Sequence, residues 1–388
     1  MSPLAYVVPR PLPIGWRVPQ REGIAWMKAA LERSGVSGPE ASRALRLYDL
    51  LARQSNVDTR ATALEDYTHQ EWDRMSLFAA PASGDGQAGP SRPWQHPTLE
   101  ERMQVFAETA LSIARDTFAD ETEAPDLLVQ VSCTGYDSPT AAQRVALEKG
   151  WTTSRLLHIG HMGCYAALPA LATAADAVRS RAALAAGASE AEADPRAAVL
   201  LLEMCTLHHR VEATDIEIVV QQCLFADGAA RLDVTASRPS GRSLALLDHH
   251  EALVPDTLDE MTWGLADGAF AMTLSRRVPD HIRAGVEGVV SEFLARHGLT
   301  VDDIDLAAIH PGGPRVIEAT AEALGFSDEQ TRHSRAVLAD RGNMSSTTLP
   351  HIWARLAEDD AVRDGDLVLS LAFGPGLTIA ANLLRVEG

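Results

Sequence analysis

The chain is short of cationic charge, of cysteine and of long apolar runs, and each shortage excludes a class of function. It has 34 Lys and Arg against 53 Asp and Glu, a formal charge of −19 at pH 7. The basic field needed for non-specific nucleic-acid or anionic-membrane binding is therefore missing. Four cysteines (Cys133, Cys164, Cys205, Cys223) in 388 residues are too few for a disulfide scaffold, and no CxxC pair marks a structural zinc site. The pairs His158 and His161, His208 and His209, and His249 and His250 lack an HExxH helix or supporting carboxylates, so no metal is expected. The longest apolar stretches contain Gly or Pro and fall short of a membrane span. The opening "MSPLAYVVPRPLPIGWRVPQ" has no n-region followed by a clean apolar h-region. The expected setting is a reducing cytoplasm, with neither nucleic acid nor membrane as partner.

What is there is ordinary globular material, 46% hydrophobic and 22% charged, enough for a sizeable core. Short, mostly apolar runs predict buried strands over 126–133, 196–205, 305–310, 366–373 and 377–386. Helical spacing intervenes, for example over 141–149, 279–297, 314–324, 328–340 and 346–358. Residues 81–97, "PASGDGQAGPSRPWQHP", read as a loop. Thr98 then opens a helix, because Glu101 completes a capping box. Strands alternating with helices predict an α/β fold. The rhythm falls into two halves, 1–235 and 236–388, although no residue-level repeat is visible.

Three places put a reactive or polar residue at the end of an apolar run. In "LLHIGHMGCYAAL" (156–168) a strand, a glycine turn and a helix start deliver Cys164 to a helix N-terminus. There the dipole and unpaired N–H groups favour a thiolate; a buried structural cysteine is the competing reading. His310 ends the strand "DLAAIH" before Pro-Gly-Gly and a helix, where α/β folds place ligands and catalysts. Asn343 in "DRGNMSSTTLPHI" offers an amide donor beside a run of hydroxyls able to cap the next helix. A thiolate needs an imidazole, and a thioester carbonyl or enolate oxygen needs neutral donors. The order Cys, His, Asn is also that of papain-like proteases, so residue types alone leave the chemistry open.

The flanking motifs "GHMGCYAALPAL", "LFADGAA", "IHPGGPRVIEA", "GNMSS" and "AFGPGLT" together resemble the type III polyketide synthases, the chalcone synthase family, over nearly the whole chain. The resemblance implies the thiolase fold, a duplicated five-layer αβαβα sandwich, in a homodimer with no permanently bound cofactor. It implies Cys164 as the nucleophile taking a starter acyl group, with His310 as its partner. With His310, Asn343 would orient the extender thioester and stabilise its enolate. Claisen condensation then extends the chain, and cyclisation releases an α-pyrone or resorcinol-type product. Phe225 and Met272 fall on gatekeeper positions. Cys133, Leu207 and Ser345 fall on cavity-lining positions, and Gly374, Pro375 and Gly376 on the loop shaping the cavity wall. The segment that meets the phosphates of CoA in plant members retains only Arg53 and Arg60. That thin basic character makes acyl carrier protein an alternative donor to acyl-CoA, and joining two carrier-bound chains an alternative route. A single-round condensing enzyme like β-ketoacyl synthase III, or a catalytically idle partner subunit, are the other readings.

Overall fold

The computed structural model describes residues 2–78, 96–186 and 194–388; most of the loop expected over 81–97 lies outside them. The first segment holds β1 (Ala5–Leu12), β2 (Trp16–Pro19), α1 (Gln20–Arg33), α2 (Pro39–Arg53) and β3 (Thr59–Thr62). Next come α3 (Leu99–Thr117), β4 (Leu127–Ser132), α4 (Ala141–Glu148), β5 (Arg155–Gly160) and α5 (Ala167–Ala186). After these follow β6 (Arg196–Met204), α6 (Ile216–Leu224), β7 (Asp227–Thr235) and β8 (Ser243–Leu253). The remainder is β9 (Met261–Leu265), β10 (Phe270–Leu274), α7 (Val278–Ala295), β11 (Leu306–Ile309), α8 (Pro314–Leu324), α9 (Arg332–Arg341), α10 (Thr348–Glu358), β12 (Leu367–Gly374) and β13 (Thr378–Glu387).

Local chemistry explains several boundaries. Thr98 accepts from the Glu101 N–H while Glu101 accepts from the Thr98 N–H, the capping box expected from the sequence. Thr140 and Gln143 form a second one at α4. Ile216 to Leu224 is β-branched and apolar yet helical, because the Asp215 side chain accepts from the N–H groups of Glu217 and Ile218. Strand β8 was not legible in the sequence: Asp248, His249, His250 and Glu251 interrupt its apolar run.

Nine strands join in one sheet, in the order β11-β12-β13-β8-β1-β7-β6-β4-β5. Strand alternation gives each half of the sheet two apolar faces. Leu128, Leu200 and Leu202 pack outward against α1, α3, α4 and α6. Val129, Val199 and Leu201 turn inward onto α5 and α10. In the other half Leu369, Leu371 and Phe373 face α7 and α8, while Val368 and Ala372 share the inner core with α5 and α10. The layers run helix, sheet, helix, sheet, helix, as expected, and the central helices carry the turns that build the site. No helix among the described residues is long and apolar enough to cross a membrane.

Candidate active site

Strand β5 ends at Gly160, and the chain reverses through His161 (φ 61°) and Gly163 (φ 76°) into a 3₁₀ turn, Gly163–Tyr165, ahead of α5. Cys164 therefore sits in a tight turn before the helix and not in its first residues, and is only 8% exposed. This turn fits because Gly374 has no side chain: a Cβ there would lie 2.0 Å from the Tyr165 ring. The sequence expectation of an accessible thiolate is corrected accordingly. Burial pushes the Cys164 thiol up to about 12, and hydrogen bonds from Ser345 and Asn343 only partly offset it.

Asn343 follows Gly342, which ends α9 with φ 75° and ψ −165°. Its Oδ1 accepts from the Ser345 N–H at 2.9 Å and its Nδ2 donates to the Gly312 carbonyl at 3.4 Å. Asn343 thus links the thiol of Cys164 to the loop that begins at His310. His310 extends the β11–β12 ladder, its N–H donating to Leu371 O at 2.7 Å. Its ring is 1% exposed, and neither ring nitrogen has a hydrogen-bond partner among the described residues. Burial lowers its pKa to about 3, so the ring is neutral. The hydroxyl run after Asn343 does not cap α10. Ser346 donates to Glu203, Thr347 to Met344 O and Thr348 to Ser345 O, which locks the turn itself.

A cavity of about 80 Å³ opens beside the thiol. Cys133, Cys164, Phe225, Met272, Ser345 and Pro375 line it. Leu207 does not; it packs in the outer core of the first half, and its neighbours Cys205, His208 and His209 face the cavity instead. Gly374 and Gly376 flank the lining residue Pro375 without reaching the cavity themselves. Arg53 is exposed at the end of α2. Arg60 needs a correction as a phosphate-binding residue: it is 6% exposed, and its Nη1 donates to the carbonyls of Gln222 (2.5 Å) and Phe225 (2.9 Å).

Sequence reasoning missed Glu203, which is fully buried and accepts from the Cys133 N–H at 3.1 Å and from the Thr134 hydroxyl at 2.8 Å. It ties the end of β6 to the turn after β4 and, through Ser346, to the Asn343 turn. Its signal was a single carboxylate inside the apolar run "RAAVLLLEMC". Trp263 and Phe270 on the β9–β10 hairpin also went unnoticed; the Trp263 indole donates to Cys133 O at 2.6 Å and closes one wall.

Residues 246–387 match the chalcone and stilbene synthase C-terminal domain. The chain is 32% identical over 302 residues to the alpha-pyrone synthesis polyketide synthase-like Pks18 of Mycobacterium tuberculosis, covering 74% of each. It is 31% identical over 377 residues to the 3,5-dihydroxyphenylacetyl-CoA synthase of Streptomyces toyocaensis, covering 95% of this chain and 90% of that protein. The crystal structure of PKS-I from the brown alga Ectocarpus siliculosus superposes with a TM-score of 0.79 at 27% identity, over 98% of both chains.

Proposed function

This chain belongs to the type III polyketide synthases, the family of chalcone and stilbene synthases, and we propose that Cys164, His310 and Asn343 carry its condensation chemistry. The observation that carries the reading is the Cys164 thiol at the cavity wall, hydrogen-bonded by Ser345 and Asn343. Asn343 in turn holds the loop of the neutral, unpartnered His310. His310 takes the thiol proton as sulfur attacks an acyl thioester; the new S–C bond forms as the donor thiol leaves with a proton. Extender decarboxylation breaks a C–C bond, releases CO₂ and leaves the electron pair as an enolate, whose oxygen Asn343 and His310 stabilise. The enolate carbon then attacks the acyl group and expels the Cys164 thiolate. Attack of an enol oxygen on the terminal thioester carbonyl forms the ring C–O bond, breaks the C–S bond and releases the donor thiol with the enol proton, closing an α-pyrone.

Met272, unbranched and among the most adaptable side chains of the lining, is able to rotate as the chain grows. Acyl-CoA is the donor we favour, with carrier-protein-bound chains as the second source. A homodimer is supported by the edge position of β5 in the sheet, beside the exposed side chains of Leu156 and Tyr136. Four free cysteines support a reducing cytoplasm. The division into halves 1–235 and 236–388 fits the connection between β7 and β8. Intact-protein mass spectrometry with matched acyl-CoA and acyl-carrier donors tests the reading: an acyl adduct is expected on the protein and none on Cys164→Ala. Full product formation by Cys164→Ala would overturn it.

A further inference from the structure

The cavity wall carries polar groups that the condensation steps do not use. His209 is 4% exposed and lines the cavity. The Tyr67 hydroxyl donates its one hydrogen to Thr206 O at 3.1 Å, and the same carbonyl accepts the His209 backbone N–H at 3.3 Å. The Tyr67 oxygen also lies 2.8 Å from His209 Nδ1, with the rings edge to face at 5.3 Å. Having spent its hydrogen, that oxygen accepts, so the ring hydrogen resides on Nδ1. Nε2 is left as a bare acceptor. Tyr67 and Thr206 stand behind the ring and do not line the cavity, so the edge left for the cavity is the one bearing Nε2.

That Nε2 is buried and has no partner among the described residues. The backbone carrying it is clamped, since the Arg102 guanidinium donates to the carbonyls of Leu207 and His209. Burial, with Arg60 and Arg102 nearby, holds the ring neutral, so Nε2 keeps its lone pair. Gln221 also lines the cavity, and its amide Nε2 is buried without a partner among the described residues. Buried polar groups left unpaired are costly, and a complementary ligand removes the cost. An acceptor and a donor in one cavity complement a ligand that carries both a hydroxyl and a carbonyl. An enolised 1,3-dicarbonyl has that pattern; a plain alkyl chain has neither group.

We propose that His209 Nε2 accepts the hydroxyl hydrogen of an enol in the β-keto chain held in the cavity, while the Gln221 amide donates to a carbonyl oxygen of the same chain. The proposal rests on the condensing function above. His209 then selects the tautomer: it holds the chain as the enol, whose oxygen is the nucleophile of pyrone closure. The ring itself stays neutral, and the enol proton still leaves with the donor thiol. Tyr67 is the positioning residue that keeps the ring hydrogen on Nδ1.

The test uses two probes: resorcinol, an enol locked into a ring, and 1,3-dimethoxybenzene, which keeps both oxygens and loses both hydrogens. Dissociation constants are measured by calorimetry, independently of turnover, on the native protein, His209→Phe and Tyr67→Phe. The native protein should prefer resorcinol, and His209→Phe should reduce that preference on the order of fivefold, the worth of one hydrogen bond. Tyr67→Phe, which frees the ring hydrogen to move to Nε2, should reduce it as well. A purely structural His209 would weaken both probes alike and leave the preference in place, which overturns the proposal; so does failure of the native protein to bind resorcinol. If His209→Phe does not fold, an undiminished preference in Tyr67→Phe does the same. With one acyl donor and a malonyl donor, His209→Phe should also lower the ratio of pyrone to uncyclised product, and an unchanged ratio overturns the proposal. Absence of acyl-Cys164 on the native protein overturns the condensing function itself, and is read by intact mass, separately from probe binding.

Discussion

Asn343 and Phe225 pair across an isolated parallel β-bridge, with the Ala226 N–H donating to Asn343 O at 2.8 Å and the Asn343 N–H to Leu224 O at 2.9 Å. The amide beside the thiol and an aromatic wall of the cavity, from opposite halves of the chain, are thereby held in one register. Gly342 makes this possible. Its φ of 75° with ψ −165° is a region open almost solely to glycine, and a Cβ would lie 2.9 Å from Leu224 O. Gly342→Ala should cost roughly 1–3 kcal/mol of stability and lower turnover; a denaturation midpoint equal to that of the native protein would count against this coupling.

Removing the Asn343 amide should act on the enolate step above all. Asn343→Ala is expected to slow malonyl decarboxylation by roughly 10²–10³-fold. Acyl transfer to Cys164 should slow less, because Ser345 still hydrogen-bonds the thiol. Carbon dioxide release and intact-mass loading, measured in parallel, separate the two steps; equal losses in both would contradict the assignment.

Arg60 and Arg53 should part company on substitution. Arg60→Ala strands the carbonyls of Gln222 and Phe225 and should cost roughly 2–4 kcal/mol with a depressed melting temperature. Arg53→Ala, at an exposed site, should leave the melting temperature in place and raise KM for acyl-CoA. Melting curves and KM values for the two variants decide between scaffold and donor contact.

Stability should fall as the solution is acidified below pH 6.5. His351 on α10 is 6% exposed, with Nε2 3.1 Å from Ala229 O, and burial lowers its pKa to about 4. Below the unfolded value of ~6.5 the unfolded chain binds the proton that the folded chain refuses. Stability from this group is thus complete above pH 6.5 and lost as pH falls toward 4. The loss is about 1.4 kcal/mol per pH unit. Urea titrations at several pH values should show a slope shallower by that amount in His351→Gln; an unchanged slope would remove His351 from the account.

The capping box at Thr98 and the strands ending near Cys164 and His310 were legible because each depends on residues close in sequence. So was the convergence of Cys164, Ser345, Phe225 and Met272 on one cavity, through motifs that resemble a family. Arg60 was misread because a cation in a polar segment looks exposed, whereas two carbonyls from α6 and its end draw it inside. Leu207 was misread by one position: the short turn Cys205–His208 decides which side chains face inward, and no periodicity marks a single turn. The raised pKa of Cys164 was illegible for a similar reason, since desolvation comes from elements distant in sequence.

Strand β1 lies between β7 and β8, its Tyr6 opposite both Thr235 and Ala245. On a ribosome adding ~5–20 residues per second, those partners emerge about 230 residues later, roughly 10–50 s after β1 itself. For that interval Ala5 and Val7, both fully interior at the end, have no sheet to join. Strand β1 is made well before both of its neighbours and is placed only once they exist. Shielding of nascent β1, by a chaperone or by temporary local contacts, therefore favours reaching the finished sheet.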